Sequence, residues 1–301
     1  MTYRISLIGT LIVSGLLLGC KNNPAPTSVP LTPATVAPTN VVAPTATEPT
    51  PPPPPPKPDR KILLNQVNDA VALLTLGSPE ATSRALSILK GVIEQDSEIA
   101  YAHFNVGVAH QQLNQLGAAR MAYDKALDCD DTLSKAWLAQ GLLLDVTGSP
   151  SKAIVKYRQG LAIAPDDIEL HVALIGSLRR QNRLGEAITS AKAALKINAN
   201  SLAIYNELGL VYVAKNDLDM ARFVYLKAKG QVDGGQNNAS IRCNLGRVLY
   251  LQGESAQAER ELLEAYALDT KYFSTLVYLS EIHFDNRAYQ KAVPLLEEAR
   301  S

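Results

Sequence analysis

Hydrophobic and small residues recur with one long period from about residue 61 to the end of the chain. Three stretches show the pattern well: HFNVGVAHQQLNQLGAARMAYDKA (103–126), YNELGLVYVAKNDLDMARFVYLKA (205–228) and RCNLGRVLYLQGESAQAERELLEA (242–265). An alignment residue recurs at intervals of 34, with one interval of 37, at Gly107, Gly141, Ile175, Gly209, Gly246 and Ser280. An alanine follows each after 12 residues, at Ala119, Ala153, Ala187, Ala221, Ala258 and Ala292. A divergent first copy, with Leu73 and Ala85, makes seven.

Each copy is predicted to form two antiparallel helices, because it is rich in alanine and leucine and is interrupted once by a turn residue. These turn residues are Asn114, Gly148, Asn182, Asn216 and Gly253. One helix pair cannot bury its apolar face alone, so the copies are expected to stack into a solenoid. The three extra residues before the sixth copy fall in GGQNN (234–238), which is expected to lengthen a turn without breaking the stack.

The pattern resembles the tetratricopeptide repeat. Tyr205-x2-Leu-Gly-x2-Tyr212 followed by Ala221-x3-Tyr225 has the spacing of that family. The resemblance implies an all-α, right-handed superhelical solenoid of about seven helix-turn-helix repeats. The repeats are expected near 66–99, 100–133, 134–167, 168–201, 202–235, 239–272 and 273–301. No polar capping helix follows the seventh, so we expect either that the sequence continues beyond Ser301 or that a partner or second copy covers this end.

The start of the chain has the layout of a secretory signal peptide. Arg4 precedes an apolar run over residues 5–19, which is shorter than the ~20 residues that a membrane-spanning helix needs. Leu17-Leu18-Gly19-Cys20 resembles the lipobox of bacterial lipoproteins, in which the signal (here 1–19) is removed and the cysteine is acylated. The alternative is an ordinary signal peptide with an incidental cysteine. Because Lys21, not aspartate, follows Cys20, the resemblance implies an outer-membrane anchor that faces the periplasm.

Residues 20–60 form a proline-rich linker between the anchor and the repeats. Fourteen of the 18 prolines lie between Pro24 and Pro58 and end in six consecutive prolines, so we expect a disordered, polyproline-like tether. At ~3.1 Å per residue it can extend over roughly 120 Å. A spacer role is favoured over a ligand for proline-reading domains, which are known mainly from eukaryotic signalling. The repeats themselves then occupy residues 61–301.

Composition excludes several kinds of site. The formal net charge is zero and the pI is near 6.9, so the chain lacks the excess of basic residues that is typical of nucleic-acid-binding proteins. His103 and His110 are seven residues apart, but no third residue is spaced to complete a metal site. Cys129 and Cys243 are separated by several repeats, so we predict buried free thiols and no disulfide. No catalytic motif is found. We therefore expect that the protein has no enzymatic activity and binds no cofactor, metal or small-molecule substrate.

In the tetratricopeptide family the first helix of each copy lines a concave groove, whose ligands are protein segments. Carried over copy by copy, this implies protein-binding positions at Phe104, Asn105, Val108, Leu138, Leu142, Val172, Arg179, Asn206, Leu210, Asn244, Arg247, Tyr250 and Tyr278. The family's carboxylate clamp is not predicted, because Asn105 and Asn244 lack the accompanying basic residues. A mixed apolar and polar groove suits an extended or helical polypeptide. The alternative for each position is helix-to-helix packing.

These features together indicate a non-enzymatic adaptor, anchored by lipid and facing the periplasm, that binds envelope proteins. The chain resembles tetratricopeptide lipoproteins of myxobacterial gliding motility and of type IV pilus assembly, in the segments YNELGLVYVAKNDLDMARFVY and LVYLS…VPLLEEAR. The long tether favours the gliding type over a compact pilus factor. The alternatives are a regulator of a cell-wall synthase or hydrolase, and an enzyme whose catalytic domain lies beyond Ser301.

Overall fold

A computed structural model describes residues 59–300, and this part of the chain is all helical. The helices are α1 (Arg60–Thr75), α2 (Pro79–Gln95), α3 (Ala100–Gln112), α4 (Leu116–Cys129), α5 (Ser134–Val146), α6 (Pro150–Ile163), α7 (Ile168–Arg180), α8 (Leu184–Ile197), α9 (Leu202–Ala214), α10 (Leu218–Gln231), α11 (Ala239–Leu251), α12 (Ser255–Leu268), α13 (Phe273–Asp285) and α14 (Tyr289–Arg300). One 3-10 turn, Gly235–Asn237, lies between α10 and α11. The predicted signal peptide, Cys20 and nearly all of the predicted linker lie outside the described residues.

Consecutive helices pack as pairs, and the main contacts of each pair are with the pairs before and after it. Odd-numbered helices are the first helices of the copies, and even-numbered helices are the second. First helices also contact the first helices of neighbouring copies. Of these neighbouring first helices, α3 and α5 contact each other least. The predicted all-α solenoid of helix pairs is therefore confirmed for the described residues.

The turns within the copies use residues that tolerate a left-handed backbone. Asn114, Asn182 and Asn216 have φ of 57°, 57° and 60°, and Gly148 and Gly253 have φ of 80° and 82°. Asparagine and glycine are the residues that adopt this region at the lowest cost. The predicted turn positions are thus confirmed by the backbone that each of them adopts.

In four of the copies the helix pair closes on a glycine of its first helix. The rings of Tyr123, Tyr157 and Tyr225, all fully buried, lie against Gly107, Gly141 and Gly209 of their own copies, and a Cβ on any of these glycines would overlap the ring. In the sixth copy a Cβ on Gly246 would lie 2.7 Å from Leu262 Cγ. The absence of a side chain on the first helix therefore lets a large side chain fill the middle of the pair.

The insertion before α11 lengthens a turn, as predicted. Gly234 has a left-handed φ of 75°, and the following 3-10 turn brings Gly235 against the backbone carbonyl of Ala228. Asn238 then caps α11, because its side-chain oxygen accepts a hydrogen bond of 3.0 Å from the Ile241 backbone N–H. The chain accommodates the extra residues here without interrupting the stack.

The two cysteines of the described region are unpaired, but only one of them is buried. Cys243 lies in the core, as predicted, whereas Cys129 is exposed, so the prediction for Cys129 is wrong. Cys129 is the last residue of α4, and the corresponding last residues of α6 and α8, Ile163 and Ile197, are exposed as well. The end of each second helix projects beyond the core, whatever side chain it has.

The buried apolar side chains fall into two clusters that meet at α5. Ala139 and Leu143 of this helix belong to an N-terminal cluster that begins at Leu63, and Leu138 belongs to a C-terminal cluster that extends to Ile282. The boundary coincides with the junction where neighbouring first helices contact each other least, between the second and third copies.

Candidate protein-binding face

Four of the predicted groove residues belong to the core. Phe104, Asn105, Val108 and Leu138 are at most 4% exposed, so their assignment to a ligand-contacting surface is corrected. The Phe104 ring lies 5.7 Å from that of Tyr123, centroid to centroid, and Asn105 Nδ2 donates to the Tyr101 carbonyl at 2.7 Å. The physical reason is that α3 and α5 carry apolar side chains almost all round, and neighbouring helices cover such helices on every side.

The other predicted positions share one environment: they are half-buried side chains of first helices in copies three to seven. They are Leu142, Val172, Arg179, Asn206, Leu210, Asn244, Arg247, Tyr250 and Tyr278. We call the surface formed by these nine residues the first-helix face. Half-burial means that their outer atoms are available to a partner while their inner atoms pack against the solenoid.

Polar side chains of the first-helix face are linked across neighbouring copies. Arg179 Nε lies 3.3 Å from Glu207 Oε2, which joins α7 to α9. Asn244 Nδ2 donates to Asn206 Oδ1 at 2.7 Å, which joins α9 to α11. The Arg247 guanidinium lies 5.6 Å from the centre of the Tyr278 ring, a cation–π contact that joins α11 to α13.

The same face ends in a tyrosine–carboxylate pair. The Tyr250 hydroxyl donates to Asp285 Oδ2 at 2.5 Å, and this hydrogen bond is the main cause that raises the pKa of Tyr250 to about 12. The phenol therefore remains a neutral donor at physiological pH. Asp285 was not predicted as a site residue. The sequence feature that could have predicted it is its position 35 residues after Tyr250, which is one repeat period plus one residue.

At the other end, Asp145 of α5 collects three donors. The hydroxyls of Tyr157 and Ser177 each donate to its carboxylate at 2.9 Å, and Arg180 Nη2 donates at 2.5 Å. Burial, reinforced by the Asp145 charge, raises the pKa of Tyr157, so this hydroxyl also stays protonated. Ser177 is a further residue that the sequence reasoning missed. These bonds fix α5 against α7 and define where the linked row of side chains begins.

This arrangement suits recognition of a polypeptide. Cross-copy bonds hold the polar side chains in one orientation, and a preorganised surface loses less side-chain entropy when it binds. Leu142, Val172 and Leu210 lie among them and offer apolar contacts. Within residues 59–300 no group of three His, Cys, Asp or Glu side chains is placed to hold a metal ion. No helix of that region has the length and apolar character needed to cross a bilayer.

Comparisons with known proteins identify the repeats. Residues 100–131 and 173–239 each match a family model described as tetratricopeptide repeat. The sequence matches no curated protein. The resemblance inferred from the spacing of the repeats is thus supported in two stretches that cover most of copies two and four and all of copy five.

Solved structures show the same fold. A tetratricopeptide repeat protein from Parabacteroides merdae superposes with a TM-score of 0.66 at 13% identity, over 80% of this chain and 93% of that one. PilF of Pseudomonas aeruginosa gives 0.55 at 19% identity, over 68% and 92%. The APC/C heterotetramer Cut9–Hcn1 gives 0.59 at 18% identity, but the match spans 76% of this chain and 45% of that one. At these identities the likeness concerns the fold alone.

Proposed function

We propose that this protein is a non-enzymatic scaffold that binds segments of other envelope proteins along the first-helix face. The observation that carries the proposal is the row of cross-copy contacts from Asp145 to Asp285, which holds half-buried polar and apolar side chains in one continuous surface. An extended or helical segment of a partner can bury its side chains against such a surface.

We further propose that the scaffold is attached to the outer membrane by acylation of Cys20 and faces the periplasm. The support is the sequence LLGC at residues 17–20 after a charged and then apolar start. Stable attachment needs more than one acyl chain, which a lipoprotein cysteine provides. The proline-rich linker would then hold the repeats away from the lipid surface by up to roughly 120 Å at ~3.1 Å per residue.

The envelope machine that we favour is one for motility of the gliding kind. The repeat resemblance and the long linker support it. A factor for type IV pilus assembly and a regulator of a cell-wall synthase or hydrolase are the alternatives. A strain that lacks the gene separates them: loss of gliding with normal cell shape supports motility, loss of pili supports pilus assembly, and bulging or lysis supports the cell-wall role.

Attachment is tested by metabolic labelling with an alkyne analogue of palmitate. We expect the full-length protein to be labelled and to fractionate with outer membranes, and we expect Cys20→Ala to lose both properties. Labelling of the Cys20→Ala protein would contradict acylation at this residue. In-cell crosslinking of the two forms, followed by mass spectrometry, then shows whether the bound partners depend on the anchor.

A further inference from the structure

A second surface lies between two of the second helices, α4 and α6. It is a groove of about 520 Å³ with α5 as its floor, and its apolar lining comes from Leu116, Leu143, Leu144 and Val155. We call it the α4–α6 groove. Its α4 wall runs from Leu116 to Asp124, which corresponds to about 12 Å at 1.5 Å per residue. An open groove of this length accommodates a piece of polypeptide chain.

The rim of the α4–α6 groove carries an excess of positive charge. Arg120, Lys152 and Lys156 line it, against a single carboxylate, Asp124. That carboxylate is already engaged, because Gln140 Nε2 donates to it at 2.5 Å and Arg120 Nε lies 3.9 Å away. Lys156 lies over the Trp137 ring at 4.8 Å, and the Lys152 ammonium has no ion-pair partner within residues 59–300.

Comparison with the junctions between other copies shows which ion pair has no counterpart between copies two and three. Second helices are bridged by Arg158–Glu186 (2.8 Å) between copies three and four. Between copies five and six the bridge is Arg222–Glu254 (2.6 Å). Glu254 stands eight residues after Gly246, and the residue eight after Gly141 is Ser149. Ser149 therefore stands at the position from which Glu254 pairs with Arg222, so Arg120 has no acidic residue at that position of the next copy.

A buried polar atom in the floor points to a ligand as well. Gln140 is 4% exposed, and although its Nε2 is bonded to Asp124, its Oε1 has no hydrogen-bond partner. A buried acceptor without a donor costs about 1–3 kcal/mol. A bound segment that offers a hydroxyl or amide donor to this floor would remove that cost.

We infer that the α4–α6 groove binds an acidic amphipathic helix of a partner protein. Apolar side chains of the helix would cover Leu144 and Val155, and its flanking carboxylates would pair with Arg120, Lys152 and Lys156. Charge argues against the protein's own linker as the occupant, because Glu48 is the only acidic residue between Cys20 and Pro58. This surface is separate from the first-helix face, so the protein can hold two partners at once.

The test is selection of peptides by the full-length protein in detergent micelles. The probe is a displayed library of helical peptides with leucine fixed at i, i+3, i+4 and i+7 and with the flanking positions randomised. We expect enrichment of Glu and Asp at the flanks. The Lys152→Glu/Lys156→Glu variant should then bind the selected peptides about tenfold more weakly or worse, because it places like charges together.

Matched variants separate this surface from the rest of the molecule. Lys192→Glu/Lys196→Glu changes two exposed lysines with the same spacing on α8 and should leave binding unchanged. Enrichment of basic flanks, or equal loss in the α8 control, would overturn the inference. So would self-association of the protein that Lys152→Glu/Lys156→Glu abolishes, since that would assign the α4–α6 groove to a second copy.

Discussion

In copies two to five, two positions 16 residues apart divide the available space within the helix pair. Gly141 and Tyr157 are one such pair, and Gly107 with Tyr123 and Gly209 with Tyr225 repeat it. In the fourth copy the sizes are exchanged, because Ile175 stands at the glycine position and Ala191 at the tyrosine position, and both are fully buried. Conserving the summed volume of two facing residues keeps the interior filled without overlap.

We predict that Gly141→Ala destabilises the protein by about 1–3 kcal/mol, because the new methyl group would overlap the Tyr157 ring. The control is Gly91→Ala in α2, where a Cβ meets nothing within 4 Å. It should stabilise by about 0.5–1 kcal/mol through helix propensity. Urea unfolding followed by circular dichroism measures both changes.

The same pair supports a double-mutant cycle. Gly141→Ile combined with Tyr157→Ala reproduces the fourth copy's arrangement, so the double variant should be more stable than the sum of the single changes by about 0.5–3 kcal/mol. Simple additivity of the two single effects would contradict the size exchange that we describe.

The two thiols should differ in reactivity. Burial raises the pKa of Cys243 to about 11, and it also raises the pKa of the exposed Cys129, with the neighbouring Asp128 charge as a further cause. In a Cys20→Ala background we expect a disulfide reagent to modify Cys129 alone while the protein is folded. Because the pKa is raised, the thiolate fraction is small at neutral pH and the rate should increase with pH above the ordinary thiol range. Equal rates for Cys129 and Cys243 before unfolding would contradict the assigned burial.

The junction between α10 and α11 depends on one glycine. We predict that Gly235→Ala destabilises the protein by at least about 1–3 kcal/mol, because its Cβ would meet the backbone carbonyl of Ala228, which cannot move aside as a side chain can. Gly230→Ala is the matched control, because Gly230 lies in α10 with nothing within 4 Å of its Cβ position. In thermal unfolding, Gly235→Ala should lower the Tm by several degrees, and Gly230→Ala should not lower it. Equal effects of the two substitutions would show that the close approach is not a constraint.

Helices and turns were predictable because they depend on signals local to each copy. Asn114 and Gly148 mark turns through their own backbone preferences, and a 34-residue period, with one interval of 37, aligns the copies with one another. The burial of Phe104 and the exposure of Cys129 were not predictable from the same signals. They depend on how closely the adjacent copies approach and on where a helix leaves the core, which the residue type alone does not show.

Stability along the molecule is expected to be uneven. The apolar core divides at α5, and the first helices of copies two and three contact each other least. In a solenoid, stability is close to a sum of copies and of interfaces between neighbours, so a weak interface can separate two unfolding units. The α4–α6 groove lies at this same junction.

We therefore predict that urea unfolds the protein in two steps. Gly107→Ala should lower the midpoint of one step and Gly209→Ala that of the other, because the two glycines serve different core clusters. Hydrogen exchange with mass spectrometry assigns each step to its helices. A single transition that both variants shift equally would show that the core is continuous across α5.

The measurement that tests the scaffold most directly is site-specific photo-crosslinking in living cells. A photoreactive residue is placed at Leu210 or Tyr278 on the first-helix face, and at Phe223 of α10 as a control. Phe223 is 60% exposed and lies outside both proposed surfaces. We predict discrete crosslinks to envelope proteins from Leu210 and Tyr278 and none from Phe223. Crosslinks from Phe223 alone, or none from either position on the first-helix face, would contradict this prediction.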